Sequence, residues 1–237
     1  MDCSPVPYCS ADMSTPLSSR ALIVGGTGPT GPAIVRGLEE RGLNVTLFHT
    51  GRHEVDEVAH VEHLHGDPFS AEGVAAALAG RSFDVVVACY GRLRTIAEVL
   101  SGRCDRFVSV GGTPAYRGYF DPTRFDPPGL PIPTAEDAPR SSEDDDGKSY
   151  RVARTEDLLF EYQPSAIHLR YPFVYGPRQI APLDWCIVRR VLNHRPAIIL
   201  PEGGLAAETR SFSENAAHTV LLAVDHSDAG GRAFNVG

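Results

Sequence analysis

Residues 21–48, "ALIVGGTGPTGPAIVRGLEERGLNVTLF", place four textures in immediate succession. An apolar run leads into a glycine-dense turn, then an apolar stretch at helical spacing closed by Gly42, then a second β-branched run. Strand, turn, helix and strand in this order make a βαβ unit, and strands joined by a helical crossover pair in parallel. The turn carries both Gly26-x-Gly28-x-x-Gly31 and Gly25-x-x-Gly28-x-x-Gly31, with Thr27, Pro29 and Thr30 between the glycines. Glycine is required where backbone N–H groups must come close to a pyrophosphate resting at the positive end of a helix. A dinucleotide is the ligand this context predicts.

The alternation continues. "VEHLHGD" predicts a strand, "SAEGVAAALAG" a helix, "FDVVVAC" a strand, "LRTIAEVLSG" a helix and "RFVSVGG" another strand. Repeats of this kind predict a Rossmann-like α/β fold, a doubly wound parallel sheet with helices on both faces. From Thr113 to Lys148 prolines, glycines and an acidic run break the pattern, and a connection this long is functional or disordered. The acidic residues 143–146 read as a solvated loop tip. Beyond it, residues 149–162 and "LDWCIVRRVLN" read as helices, "SAIHLRYPFVYGP" as a strand plus loop and "AIILP" as a short strand. "FSENAAHTVLLAVD" then reads as a helix and "RAFNVG" as a strand. Trp185 is expected in the core.

The end of the second strand normally selects the dinucleotide: an acid there suits the ribose hydroxyls of NAD, and a nearby arginine suits the 2′-phosphate of NADP. Here His49 stands at that place and Arg52 follows three residues on, so NADP is expected ahead of NAD. Asp67 and Pro68, after the third strand, are placed toward the adenine end, and Cys89, Tyr90 and Gly91, after the fourth, toward the middle of the cofactor. His60, His63 and His65 invite a metal reading, because imidazoles two apart share a strand face. No further ligand pattern accompanies them in sequence, so no metal is expected.

The bulk properties narrow the function classes. A net charge of −8 argues against a nucleic-acid partner. No run approaches the roughly 18 apolar residues of a membrane span. The five cysteines form no C-x-x-C pair, which fits a reducing cytoplasm. Residues 1–19 lack the texture of a secretory signal and read as a disordered tail.

Tyr150 precedes Arg154 by one helical turn in "SYRVAR", which would place phenol and guanidinium on one face. With "GGTGPTG", the "GD" of Gly66–Asp67, "RFVSVGGTPAY", "TAEDAP", "LRYPFVYGP" and "TRSFSENAAHTVLLAV", these motifs resemble, in order, the extended short-chain dehydrogenase/reductase superfamily, or NAD-dependent epimerase/dehydratase family. The resemblance implies a Rossmann domain over residues 20–172 and, over 173–237, mixed Rossmann elements with a small, discontinuous substrate-binding lobe that is either truncated or reduced in its pocket. It also implies hydride transfer at a hydroxyl or carbonyl carbon of a small, sugar-nucleotide-like substrate, and a homodimer.

Tyr150 matches the family's catalytic tyrosine, with Arg154 where the family has a lysine. A phenol titrates near about 10, so a fixed cation beside it would favour the phenolate. Gly112 replaces the family's Ser or Thr; Thr113 or Ser109 could substitute for it, and Thr113, at the strand's end, is the expected one. Tyr116 and Arg210 are implied on the substrate side, and Tyr171 and Pro172 beside the nicotinamide. The alternative is a cofactor-binding sensor or interaction protein that has lost catalysis.

Overall fold

The computed structural model describes residues 19–179, 183–205 and 207–237. In chain order the main elements are β1 (Arg20–Val24), α1 (Gly31–Glu39), β2 (Asn44–His49), β3 (Glu62–His65), α2 (Ala71–Leu78), β4 (Phe83–Ala88), α3 (Leu93–Val99), β5 (Cys104–Gly112) and α4 (Gly147–Tyr162). There follow β6 (Ile167–Tyr171), β7 (Phe173–Tyr175), α5 (Trp185–Leu192), β8 (Arg210–Phe212), α6 (Ser213–Asp225) and β9 (Arg232–Asn235). Seven strands form one sheet in the order β3-β2-β1-β4-β5-β6-β9, with every pair parallel. β7 and β8 form a separate parallel pair.

Both faces of the sheet are covered, which is why its central strands β1 and β4 carry the nearly continuous apolar runs Ala21–Val24 and Val85–Ala88. Alternate residues of each strand serve opposite faces. Ala21 and Ile23 of β1 pack with Val45 and Leu47 of β2, Ile34 and Leu38 of α1 and Val220 and Val224 of α6. Leu22 and Val24 of the same strand pack with Phe48, Val86 and Phe107, under Val74 and Leu78 of α2, Ile96 of α3 and Leu159 of α4. Residues 173–237 therefore contribute β9 and α6 to the first sheet, and α5 with the β7–β8 pair stands apart from it.

Three features differ from the sequence reading. The expected strand at 197–201 does not form: 197–200 are irregular and Pro201 opens a short helical turn, Pro201–Gly204. Trp185 is 51% exposed, and Ile187, Val188, Val191 and Leu192 along α5 are exposed with it. The connection 113–148 is ordered: Tyr116 and Arg140 form an antiparallel bridge, and the acidic run builds structure. Asp145 accepts the Ser142 N–H and the Arg117 guanidinium, and Asp146 caps α4 by accepting the Lys148 and Ser149 N–H groups.

Burial pushes the Cys89 thiol up to about 12 and, joined by Asp105, the Cys104 thiol up to about 11, whereas Cys186 is exposed. The thiolate is the reactive species. Brief alkylation of the folded protein at mildly alkaline pH is therefore expected to label Cys186 and to spare Cys89 and Cys104, as peptide mass spectrometry would show.

Candidate active site

The strand order reverses between β1 and β4, so a crevice opens over the C-terminal ends of these strands, the usual place for a ligand in such a sheet. The glycine turn lies there. Gly25 and Gly26 adopt φ of 105° and 96°, which side chains rarely tolerate. A Cβ on Gly31 would stand 2.0 Å from the Gly26 carbonyl oxygen, so only glycine lets α1 start this close to the turn. At Gly28 an added Cβ would meet nothing within 4 Å, which leaves its backbone open toward the crevice. Thr30 makes no side-chain cap and the first turn of α1 holds no acidic residue, so the positive helix end keeps its capacity for an anion. The residues present fit a pyrophosphate.

Next to the turn, His49 ends β2 with only 3% of its surface exposed, and Arg52 is exposed on the following loop. Asp67 accepts the Phe69 N–H at 2.9 Å and shapes the loop after β3. Pro68 is buried beneath it, and Gly91 needs φ of 90° and the space of a missing side chain to pass the Pro68 carbonyl. The rings of Phe69 and Tyr90 meet edge to face with centroids 5.3 Å apart, and both are partly exposed. Cys89 donates its N–H to Val24 and joins the core beneath.

Between α3, α4 and the end of β5 lies a cleft of about 430 Å³, lined among others by Arg92, Arg94, Gly112, Arg151, Val152 and His168. Tyr150 and Arg154 do not line it. With about 100° between successive helical residues, Tyr150 and Val152 point about 160° apart, whereas Arg151, which lines the cleft, lies about 100° from Tyr150 and about 60° from Arg154. Arg154 is exposed and works on the other side: Glu98 and then Glu161 hold the Tyr162 phenol above its ordinary value, and Arg154 opposes them. One turn before Val152 stands Lys148, which does not line the cleft. Lys148 instead rests over the Phe120 ring, 5.4 Å from its centroid.

Tyr116, expected on the substrate side, is a core residue with 1% exposure. Its hydroxyl donates to Asn235 Oδ1 at 2.8 Å and accepts from Arg170 at 2.7 Å, while the guanidinium stacks over its ring. Arg210 pairs with Glu208 and Asp184 beside α5 and the β7–β8 pair, which ties the guanidinium to carboxylates of its own chain. Tyr171 donates its hydroxyl to the Ala216 carbonyl at 2.6 Å, and burial raises its phenol far above the ordinary value. Pro172 follows it between β6 and β7, and Thr113 opens the short helical turn after β5. Gly112 has little room: an added Cβ would lie 3.0 Å from the Pro114 ring, and one on Gly111 2.5 Å from the His168 imidazole.

Sequence reasoning missed the buried polar chain under the cleft. Ser109 Oγ lies 2.8 Å from His168 Nδ1, and Arg170 donates to both carboxylate oxygens of Glu156 at 2.9 and 2.8 Å. Glu156 and His168 are each 1% exposed. His168 Nε2 stands 3.4 Å from Glu156 Oε1 and has no hydrogen-bond partner among the described residues. Burial alone would raise the Glu156 carboxyl, but His168 and Arg170 more than offset it and hold it down at about 2. A signal was present: His168 and Arg170 alternate in an otherwise apolar strand, which puts both on one face.

No family model matches the sequence. The chain is similar to chloroplast stem-loop binding protein of 41 kDa b of Arabidopsis thaliana, with 24% identity over 244 residues and 94% of this chain covered. It spans 60% of the length of that curated relative. Among solved structures it is similar to WbmG of Bordetella bronchiseptica in complex with NAD, with 15% identity and a TM-score of 0.71 over 93% of this chain and 73% of that one. It is also similar to a UDP-glucose 4-epimerase of Thermotoga maritima with UDP-glucose, with 18% identity and a TM-score of 0.71 over 92% of this chain and 76% of that one. At such identities the likeness is one of fold alone: the chain shares with these proteins a Rossmann-like α/β architecture built on a parallel sheet with helices on both faces.

Proposed function

We propose that the chain binds a nicotinamide dinucleotide along the C-terminal edge of its sheet and acts as an NAD(P)-dependent oxidoreductase or epimerase on a small, sugar-nucleotide-like substrate. The glycine turn carries this reading, because a Cβ-free backbone at Gly28 opens onto the crevice beside an uncapped α1. NADP is preferred on the ground that His49 and Arg52 replace the carboxylate that would hold an NAD ribose. The solved neighbours described with NAD or UDP-glucose support the ligand class. A bound nicotinamide would supply or accept the hydride. The chain's own part is to seat the pyrophosphate on the α1 terminus and to meet substrate phosphate with Arg92, Arg94 and Arg151 at the cleft.

Tyr150 is not the proton donor in this reading. A second reading, a dinucleotide-binding sensor without hydride chemistry, is favoured by Val152 and Gly112 at the cleft, where neither offers a polar side chain. Calorimetric titration is expected to give tighter binding of NADPH than NADH. Turnover on a panel of carbonyl and nucleotide-sugar substrates is expected to be the same, within about twofold, for wild type and Tyr150→Phe. Cofactor binding without turnover on any substrate would select the sensor, and a Tyr150→Phe enzyme without turnover would restore Tyr150 to the site. With a net charge of −8, no binding of a structured RNA is expected at physiological salt.

A further inference from the structure

At the edge of the sheet, parallel pairing of β2 with β3 sets His49 directly opposite His65, and His63 lies on the same face two residues earlier. The loop after β2 brings Glu54 over them. We propose that His49, Glu54, His63 and His65 form a four-coordinate binding site for a transition-metal ion of the zinc class.

The donor atoms converge on one point. His49 Nε2 lies 2.9 Å from His63 Nδ1, and the Glu54 carboxylate oxygens lie 3.3 Å from His63 Nδ1, 3.2 Å from His65 Nε2 and 3.9 Å from His49 Nε2. One ligand atom from each residue fits within 4.8 Å of all the others. A tetrahedral ion with bonds of about 2.0–2.1 Å requires donor–donor edges of roughly 3.3–3.4 Å. The observed spacings bracket that edge. The rings stand nearly perpendicular, with interplanar angles of 75°, 86° and 82°, so they meet through nitrogens and edges rather than by stacking.

The surroundings hold the ligands in register. His63 Nε2 lies 2.9 Å from the Val58 carbonyl, which keeps its proton on that nitrogen and leaves Nδ1 a lone pair toward the centre. His49 is nearly closed off, with 4% of its side chain exposed, whereas His65 and Glu54 are about half exposed, so the site has a dry floor and a route from solvent. One contact must yield: the Gly51 N–H, 3.3 Å from His49 Nδ1, gives way when that nitrogen carries the proton. Three imidazoles and a carboxylate suit zinc, cobalt or nickel rather than magnesium or calcium, which take oxygen ligands. The proposal does not depend on the dinucleotide reading.

The test uses the full chain, stripped with a chelator and titrated with Zn²⁺ against a chromophoric chelator, then with Co²⁺. One equivalent of Zn²⁺ is expected with a Kd below about 1 µM. Co²⁺ is expected to give the intense visible absorption of a four-coordinate ion. Glu54→Gln and His65→Asn alter partly exposed side chains, so circular dichroism should report an intact fold. Each is expected to weaken Zn²⁺ by about tenfold or more. Zn²⁺ should also raise the melting temperature of the wild type more than that of either variant. A chain that retains no Zn²⁺, or a His63→Gln/His65→Gln variant that binds it as tightly as wild type, would overturn the proposal, the latter by placing the ion elsewhere.

Discussion

Glu156→Gln is expected to lower the stability of the fold by about 3–5 kcal/mol, the usual effect of removing one partner of a buried ion pair. For a domain of this size that corresponds to a melting temperature lower by on the order of 10 °C. Both charges are out of solvent, Arg170 at 3% exposure and Glu156 at 1%, and glutamine keeps the shape but leaves the guanidinium without a counter-ion. The acid side gives an independent readout. A carboxyl held at about 2 in the fold, against its ordinary 4.5, contributes its stability in full above pH 4.5 and loses it as the pH falls toward 2. Urea midpoints followed from pH 6 to pH 3 should therefore fall less steeply in the variant. Equal slopes, or an unchanged midpoint at neutral pH, would show that the pair does not stabilise the fold.

Two substitutions in the glycine turn are expected to separate folding from binding. Gly31→Val places a methine carbon 2.0 Å from the Gly26 carbonyl oxygen and 2.2 Å from its carbon, backbone atoms that cannot rotate away. The helix must then shift, at a cost of about 3 kcal/mol, and dinucleotide binding should be lost with it. Gly28→Ala adds a methyl group that meets nothing in the protein, so the melting temperature should hold. The methyl would stand where the pyrophosphate approaches, and NADPH binding should weaken roughly tenfold or more, about 1.4 kcal/mol. Wild-type affinity in Gly28→Ala would remove the turn from the binding site.

Much of the architecture was legible because each part has a local cause. A strand covered on both faces needs apolar residues throughout, and β1, β2, β4 and β5 show them. The glycine turn was legible because its glycines answer to backbone geometry within seven residues. For Tyr150 and Arg154 the spacing fixes only that the two residues share a helix face, not which way that face looks. Ser149, Ala153, Glu156 and Leu159 form the buried row of α4, and the serine and glutamate in it hide the apolar stripe that would have oriented the helix. Glu156 makes sense only beside Arg170, a strand away. Likewise the partners of His63 and His65 are His49 and Glu54, which only the β2–β3 register brings to them. Trp185 was expected in the core, yet it stands 51% exposed on α5, because an aromatic residue in a helix says nothing of what covers it.

The position of β9 has a consequence for how the chain is made. Asn235 accepts the Tyr116 hydroxyl across 119 residues, donates its side-chain amide to the Thr134 carbonyl and its backbone N–H to the Glu136 carboxylate, while Val236 donates its N–H to the Arg170 carbonyl. A chain emerging from the ribosome can close β1 through β6 early, but these contacts wait for its last few described residues. Until then Tyr116 and the 113–148 connection lack their final anchor, and the last sheet edge stays open beside β6. A chain cut short before Arg232 would thus leave Tyr116 and the sheet edge at β6 without these partners, and proteases are expected to cut it between Thr113 and Lys148 more readily than the chain that runs to Gly237.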